Sequence, residues 1–207
     1  MAAAHTDPRP ARSRARLLEA ATALLRTGGP SAVTVDAVIR ASNVARATLY
    51  RHFPTREALY EAVYRREVEQ LGDLAEQLQN APEPVEALRR WLRANVQFVA
   101  TKKGMVAALA LVAAGSSELQ AYSFDRLTKA IGTLLSRAVA AGAIRDDISA
   151  EDVLRALIGM CYMHDQPGWQ TTALRLLDVF VDGLRVLPAN PVLTTRPAKK
   201  TTRRPSR

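Results

Sequence analysis

The 207-residue chain contains a single cysteine, Cys161, so no internal disulfide can form and no thiol cluster is available to bind zinc. Histidine is nearly as scarce, at His5, His52 and His164. The nearest thing to a reactive cluster is Cys161-x-x-His164 with Asp165 beside it. A metal site wants three or four ligands, and an activated nucleophile needs a base held by an orienting partner; this cluster supplies neither. No glycine-rich phosphate loop of either common type occurs. The sequence therefore calls for no catalytic residue, no metal and no cofactor, and the chain is not expected to be an enzyme. It also lacks any run approaching the roughly 18 apolar residues of a membrane span, and its N-terminus, MAAAHTDPRPARSRAR, lacks the apolar stretch of a secretory signal. A cytoplasmic protein with no membrane partner is the expectation. At 48% apolar content, packing alone can hold a core of one large or two small domains.

Positive charge is unevenly spread. The net charge is +9, with nine arginines and three acids in residues 1–56 and six Lys or Arg and no acid in residues 188–207. Residues 57–187 carry 14 bases against 17 acids. Cationic ends around a mildly acidic middle point to a polyanion, because Lys and Arg release condensed counterions from nucleic acid. For residues 188–207 taken alone, a solvated tail is the simpler explanation of the charge.

Apolar residues recur at helical spacing almost throughout, as in Leu17, Ala21, Leu24, and strand-like alternation is hard to find, so the fold class is all-α. Gly28-Gly29-Pro30 is expected to end a first helix, Asn43 to separate two short ones, and Pro54 to precede a long one closed by Pro82 and Pro84. Further helices are expected to start after Pro84, Gly104, Ser117, Ser149 and Gly168; Ser149-Ala150-Glu151-Asp152 has the hydroxyl-to-acid spacing of a capping box. The proline-rich, charged stretch 188–207 has no apolar periodicity and reads as disordered, as does an arm over 1–11.

The most informative segment is residues 34–53. Thr34 can cap a short helix, Asp36 suits the positive end of its dipole, and Val35, Val38 and Ile39 form one stripe. Asn43 tolerates the left-handed backbone that a tight turn between crossing helices demands. In the next helix, with successive residues about 100° apart, Ala45, Leu49 and Phe53 share a buried face. Ala47 and Arg51 stand opposite, flanked by Arg46, Thr48 and Tyr50. Such a surface suits a major groove. Ala47 is small enough to touch a thymine methyl, and Arg46 and Arg51 carry the fork that matches guanine. Thr48, Tyr50 and His52 can donate to phosphate oxygens, and Arg56 sits in the first turn of the following helix, where backbone amides also favour an anion.

The run TVDAVIRASNVARATLYRHFPTREALYEAV resembles the signature of the tetracycline-repressor (TetR) family of bacterial regulators, with shared features from Ala15 to Glu61. The resemblance implies that Arg46, Ala47, Tyr50 and Arg51 occupy groove-reading positions and that Thr34, Thr48, His52 and Arg56 meet phosphates. It departs from the family pattern at Asn43, where glycine is usual, at Ala45, where a polar residue often starts the helix, and at Asp36, where some members use a cation. An acid there would repel phosphate unless Arg40, one turn on, pairs with it. The implied layout is a helix-turn-helix DNA-binding domain over 12–54 and a helical ligand-sensing and dimerisation domain over 55–187. The implied function is a homodimeric regulator, commonly a repressor, that binds an inverted-repeat operator and is released by a small, largely apolar effector.

Within the second half, Leu154, Leu157, Ile158 and Cys161, with Leu174, Leu177, Val181 and Leu184, give the last two helices an apolar stripe each, and Gly159 and Gly183 permit close approach. A four-helix dimer contact and burial inside one subunit both account for them. A ligand pocket is expected among residues 84–165, drawing on Trp91, Phe98, Met105, Leu109, Tyr122, Phe124, Met160 and Met163, most of which must be ordinary core. The alternative to a specific regulator is a ligand-insensitive or non-specific nucleic-acid-binding helical protein, its helix-turn-helix serving only for packing.

Overall fold

The structure, a computed structural model, describes residues 8–109, 116–163 and 167–186. The expected disordered tail, residues 1–7 of the arm and His164 lie outside the described residues. The described helices are α1 (Pro8–Ala32), α2 (Val35–Ser42), α3 (Arg46–His52), α4 (Arg56–Leu78), α5 (Pro84–Leu109), α6 (Ser116–Ala140), α7 (Ala150–Tyr162) and α8 (Trp169–Gly183). Among the described residues the nearest approach to a strand is one isolated bridge, Ile144 to Arg185. Helix α1 starts at Pro8, so the arm is helical from there rather than disordered to residue 11. A proline such as Pro10 loses nothing in a first turn, whose N–H groups have no intrahelical acceptor anyway.

Local chemistry accounts for most boundaries. Gly29, at φ 66°, interrupts α1 in the left-handed region, and the chain then regains a last turn to Ala32. Thr34 Oγ1 accepts the Ala37 N–H at 3.1 Å and so caps α2. Asn43 is left-handed at φ 51° and returns its N–H to Ile39 O. Thr55 Oγ1 accepts from Ala58 N to start α4. At α7 the capping box forms in both directions between Ser149 and Asp152. Gly104 does not start a helix: α5 runs through it to Leu109, because one interior glycine costs only about 1 kcal/mol and the adjoining Thr101 and Met105 are buried.

Helices α1–α3 make a head and α4–α8 a body, with α4 packed along both α5 and α6. Trp91 of α5 is fully buried, and its indole N–H donates to the Leu71 carbonyl of α4 at 2.7 Å. Arg89 joins α5 to α8, donating to Asp178 at 3.0 Å and also to Asp182, while Arg93 donates to the second Asp178 oxygen at 2.6 Å. The Arg93 hydrogen bond, with that of Arg89, holds the Asp178 carboxyl below its ordinary value against the opposing effect of burial. One apolar core runs without a break from Leu17 and Leu25 of α1 through Tyr60 and Val68 of α4 to Leu157 of α7 and Val181 of α8. Head and body also meet through polar groups: Arg26 of α1 reaches the buried Glu67 carboxylate of α4 at 2.8 Å, and Arg66 donates to the Ala15 carbonyl at 2.9 Å.

The stripes of α7 and α8 divide differently from the simplest expectation. Leu154, Leu157, Cys161, Leu177, Val181 and Leu184 are buried inside the subunit, and Leu174 packs against that core. The apolar side chains left outside are Ile158, Tyr162, Met163 and Val179. A Cβ built on Gly159 or Gly183 meets nothing within 4 Å, so neither glycine serves packing within the subunit.

Candidate functional site

Helices α2 and α3 present the residues singled out from the sequence on one outer surface. Leu49, Phe53 and Val44 are buried, whereas Arg46, Ala47, Tyr50 and Arg51 are exposed, Tyr50 at 45% of its free area. Tyr50 adds to the arginines of this face a ring with an apolar body and a polar tip. Thr48 and His52 are half-buried on the flanks, and Thr34 is exposed at the start of α2. The Thr34 oxygen accepts the capping bond, which leaves its hydroxyl proton available for an anion.

Two details differ from the sequence reading. Ala45 is the exposed N-cap of α3, not a member of its buried face, because the helix proper begins at Arg46. Asp36 pairs with Arg46 across the turn, not with Arg40. The crossing of α2 and α3 brings residues ten positions apart closer than the helical repeat brings residues four apart. This exposed pair contributes little stability, but it cancels the charge that Asp36 would otherwise present to phosphate. Arg56 is braced by Tyr60, its Nε donating to the phenol oxygen at 2.8 Å with the guanidinium 5.3 Å from the ring centroid. Arg14 of α1 lies 5.4 Å from the Phe53 ring centroid, which fixes one α1 arginine against the head.

A second feature lies in the body. A cavity of about 460 Å³ opens between α4, α5, α6 and α7, within the size range of small-molecule sites. Its apolar wall includes Phe98, Val99, Phe124, Leu127, Leu154 and Ile158. Of the eight side chains expected at a pocket, Phe98 and Phe124 line it. Trp91 is instead a core anchor bound to Leu71, and Met105 is wholly buried elsewhere in the core. Tyr122 turns to Glu69, Met160 packs against the core, and Met163 is exposed to solvent. Leu109 ends α5, and its side chain lies outside the described ones. The expectation also missed Tyr64, which reaches the cavity from α4, and the polar residues Asn95 and Lys102 of α5. Asn95 was findable: it is a polar residue inside the otherwise apolar stripe Trp91, Leu92, Val96, Phe98, Val99.

The Cys161 thiol is buried, and burial pushes it up to about 11 despite the opposing charge of Lys103. Among the described residues no group of three His, Cys, Asp or Glu could hold a metal ion, and no helix is long and apolar enough to cross a membrane.

Comparison with known proteins places this arrangement. Residues 17–63 match the family of bacterial regulatory proteins called tetR, and residues 83–186 match the C-terminal domain of SbtR-like transcriptional regulators. The chain belongs to the TetR family. A crystal structure of a TetR transcriptional regulator from Streptomyces coelicolor is 39% identical, with a TM-score of 0.74 over 83% of this chain and 98% of that one. A TetR regulatory protein from Mycobacterium vanbaalenii is 32% identical, with a TM-score of 0.69 over 86% of this chain and 98% of its own. Among curated relatives, an uncharacterised HTH-type regulator of Mycobacterium tuberculosis is 31% identical over 44% of this chain, which spans about half (46%) of that relative's length. The repressor KstR2 of Mycolicibacterium smegmatis is 26% identical over 72% of this chain and 76% of its own. As in its TetR relatives, an N-terminal helix-turn-helix precedes a C-terminal helical domain.

Proposed function

We propose that this TetR-family chain is a sequence-specific DNA-binding regulator, acting as a homodimer on an inverted-repeat operator and released from it by a small ligand. The observation that carries the DNA reading is the outer face of α3. Tyr50, Arg46 and Arg51 stand exposed around the small Ala47, while Leu49 and Phe53 on the opposite side anchor the helix to the core. On this reading Arg46, Ala47, Tyr50 and Arg51 meet base edges, and Thr34, Thr48, His52 and Arg56 meet phosphates. Residues 12–54 form the reading domain and 55–187 the sensing and pairing domain, although the core between them is continuous. The basic ends add binding that is blind to sequence.

Pairing follows from geometry, since two reading helices must lie about 34–36 Å apart to enter successive major grooves. The exposed apolar residues Met163, just past α7, and Val179 of α8, together with the open Gly159 and Gly183, support a second copy of this chain as their partner; Ile158 and Tyr162, also exposed, line the cavity. Coupling to a ligand runs through α4. Tyr64 lines the cavity, and about 12 Å back along the same helix Arg56 begins the first turn after the reading head. A ligand that favours a displaced α4 changes the separation of the two heads, and a coupling of about 1–3 kcal/mol is sufficient.

The test is selection of bound duplexes from a random library by the purified protein at about 0.15 M salt, where phosphate-only binding is suppressed. Recovery of an inverted repeat is expected. Failure to enrich any site would leave the helix-turn-helix a packing motif.

A further inference from the structure

The cavity's polar groups narrow what it can hold, given the reading above that it is a ligand site. Two hydroxyls are already occupied: Tyr64 donates to Ser123 Oγ at 2.8 Å, and Ser123 donates to the Gln120 carbonyl at 2.9 Å. Asn95 is not satisfied. It is 1% exposed, and its Nδ2 has no hydrogen-bond partner among the described residues. A buried donor left unmade is costly, and a cavity wall is where an incoming acceptor repays it. Among the described residues Lys102 is the one Lys or Arg that lines the cavity; it is half-buried, with its Nζ 5.7 Å from the centroid of the Tyr64 ring and no ion-pair partner among those residues. Among the described residues no Asp or Glu lines the cavity. Asn95 and Lys102 lie seven residues apart on α5, about 10 Å along one side of the helix, with Phe98 and Val99 between them.

We infer that the cavity takes a monoanionic amphiphile: an apolar body along Phe98, Val99 and Phe124, a carboxylate or similar anion paired with Lys102, and a hydrogen-bond acceptor reaching Asn95 Nδ2. A cationic amphiphile is refused, because it would meet an ammonium and no carboxylate. The selectivity arises from desolvation. A charge entering a largely apolar cavity gives up water, and a hydrogen-bonded opposite charge must replace what is lost. The ring of Tyr64 holds the ammonium at the wall, so an anion on Lys102 also presses on α4, the helix that leads to the reading head.

Titration calorimetry of the 207-residue chain with decanoate, decanol and decyltrimethylammonium reads the charge preference directly. Decanoate is expected to bind about tenfold or more tighter than decanol, and the cation weakest. Lys102→Met should bring decanoate down to the level of decanol, and Lys102→Arg should keep it tight. ω-Hydroxydecanoate should outbind decanoate, and Asn95→Leu should erase that difference. Equal affinity for decanoate and decanol, decanoate binding unchanged in Lys102→Met, or no binding of any probe would overturn the inference. Because these measurements use no DNA, a protein that selects an operator yet shows one of those failures remains a regulator with a different ligand. One that binds decanoate without selecting DNA keeps the ligand assignment and loses the regulatory one.

Discussion

The junction of head and body can be tested by replacing Arg26 with methionine, which keeps an unbranched apolar stem and removes the guanidinium. Arg26 is 51% exposed and Glu67 only 5%, so the substitution leaves the carboxylate in the core without its 2.8 Å partner. Breaking a fully buried pair costs about 3–5 kcal/mol, and a hydrogen bond to a charged group contributes about 1.5–3 kcal/mol. Water reaches the outer half of this pair, which places the cost near the lower figures, about 2 kcal/mol. For a domain of this size that is a fall of about 4–8 °C in Tm. Thermal melts at one fixed protein concentration, followed by circular dichroism, are the assay, since pairing of subunits makes Tm concentration-dependent. Arg26→Met combined with Glu67→Met removes the stranded charge as well, and should recover most of the loss. A single variant that melts within about 1 °C of the parent, or a double variant whose loss is the sum of two large ones, would refute the reasoning.

Tyr50→Ala or Arg51→Ala should abolish operator selection while the oligomeric state by sedimentation is unchanged, because both side chains point away from the core; a variant still protecting the same site would count against the reading surface. Thr34→Ala removes the cap of α2 and should cost about 1 kcal/mol in chemical denaturation, with weaker DNA binding than Thr34→Ser, which restores the hydroxyl. Asp178 carries a pH signature. Its folded-state pKa lies below the ordinary value of 3.8, so its contribution is complete above that value and disappears as the pH falls through the depressed one. Melts over an acid series should therefore show a shallower decline in Asp178→Asn than in the parent, from a lower starting stability.

The helix-turn-helix was legible in the residues because its determinants are local. A threonine cap, an asparagine in the left-handed region and an apolar repeat in α2 and α3 each act within a few positions of their own chain; the structure realises the first two, and the repeat except at Ala45, which is the exposed N-cap of α3. The capping box at Ser149 belongs to the same class. Gly104 misled because glycine's cost is small beside burial of the residues around it, and a propensity cannot register what packs against it. Arg40 misled as the partner of Asp36 for a related reason: the one-turn rule holds within a helix, whereas Arg46 arrives from the next helix across the turn.

By itself, the sequence determined an all-α chain, the place and outward face of the reading helix, and the family to which both belong, since each depends on periodicity and short-range spacing. Only the tertiary structure decided which apolar stripe is interior and which is exposed. Leu157 and Ile158 are adjacent and equally apolar, yet one is buried in the core and the other is exposed beside the cavity, according to how α7 rotates against its neighbours. It alone decided the cavity too, because Tyr64, Asn95, Phe124 and Leu154 come from four helices whose packing leaves that volume unfilled. No single helix carries the record of a void, which is a property of the space between side chains that are distant along the chain.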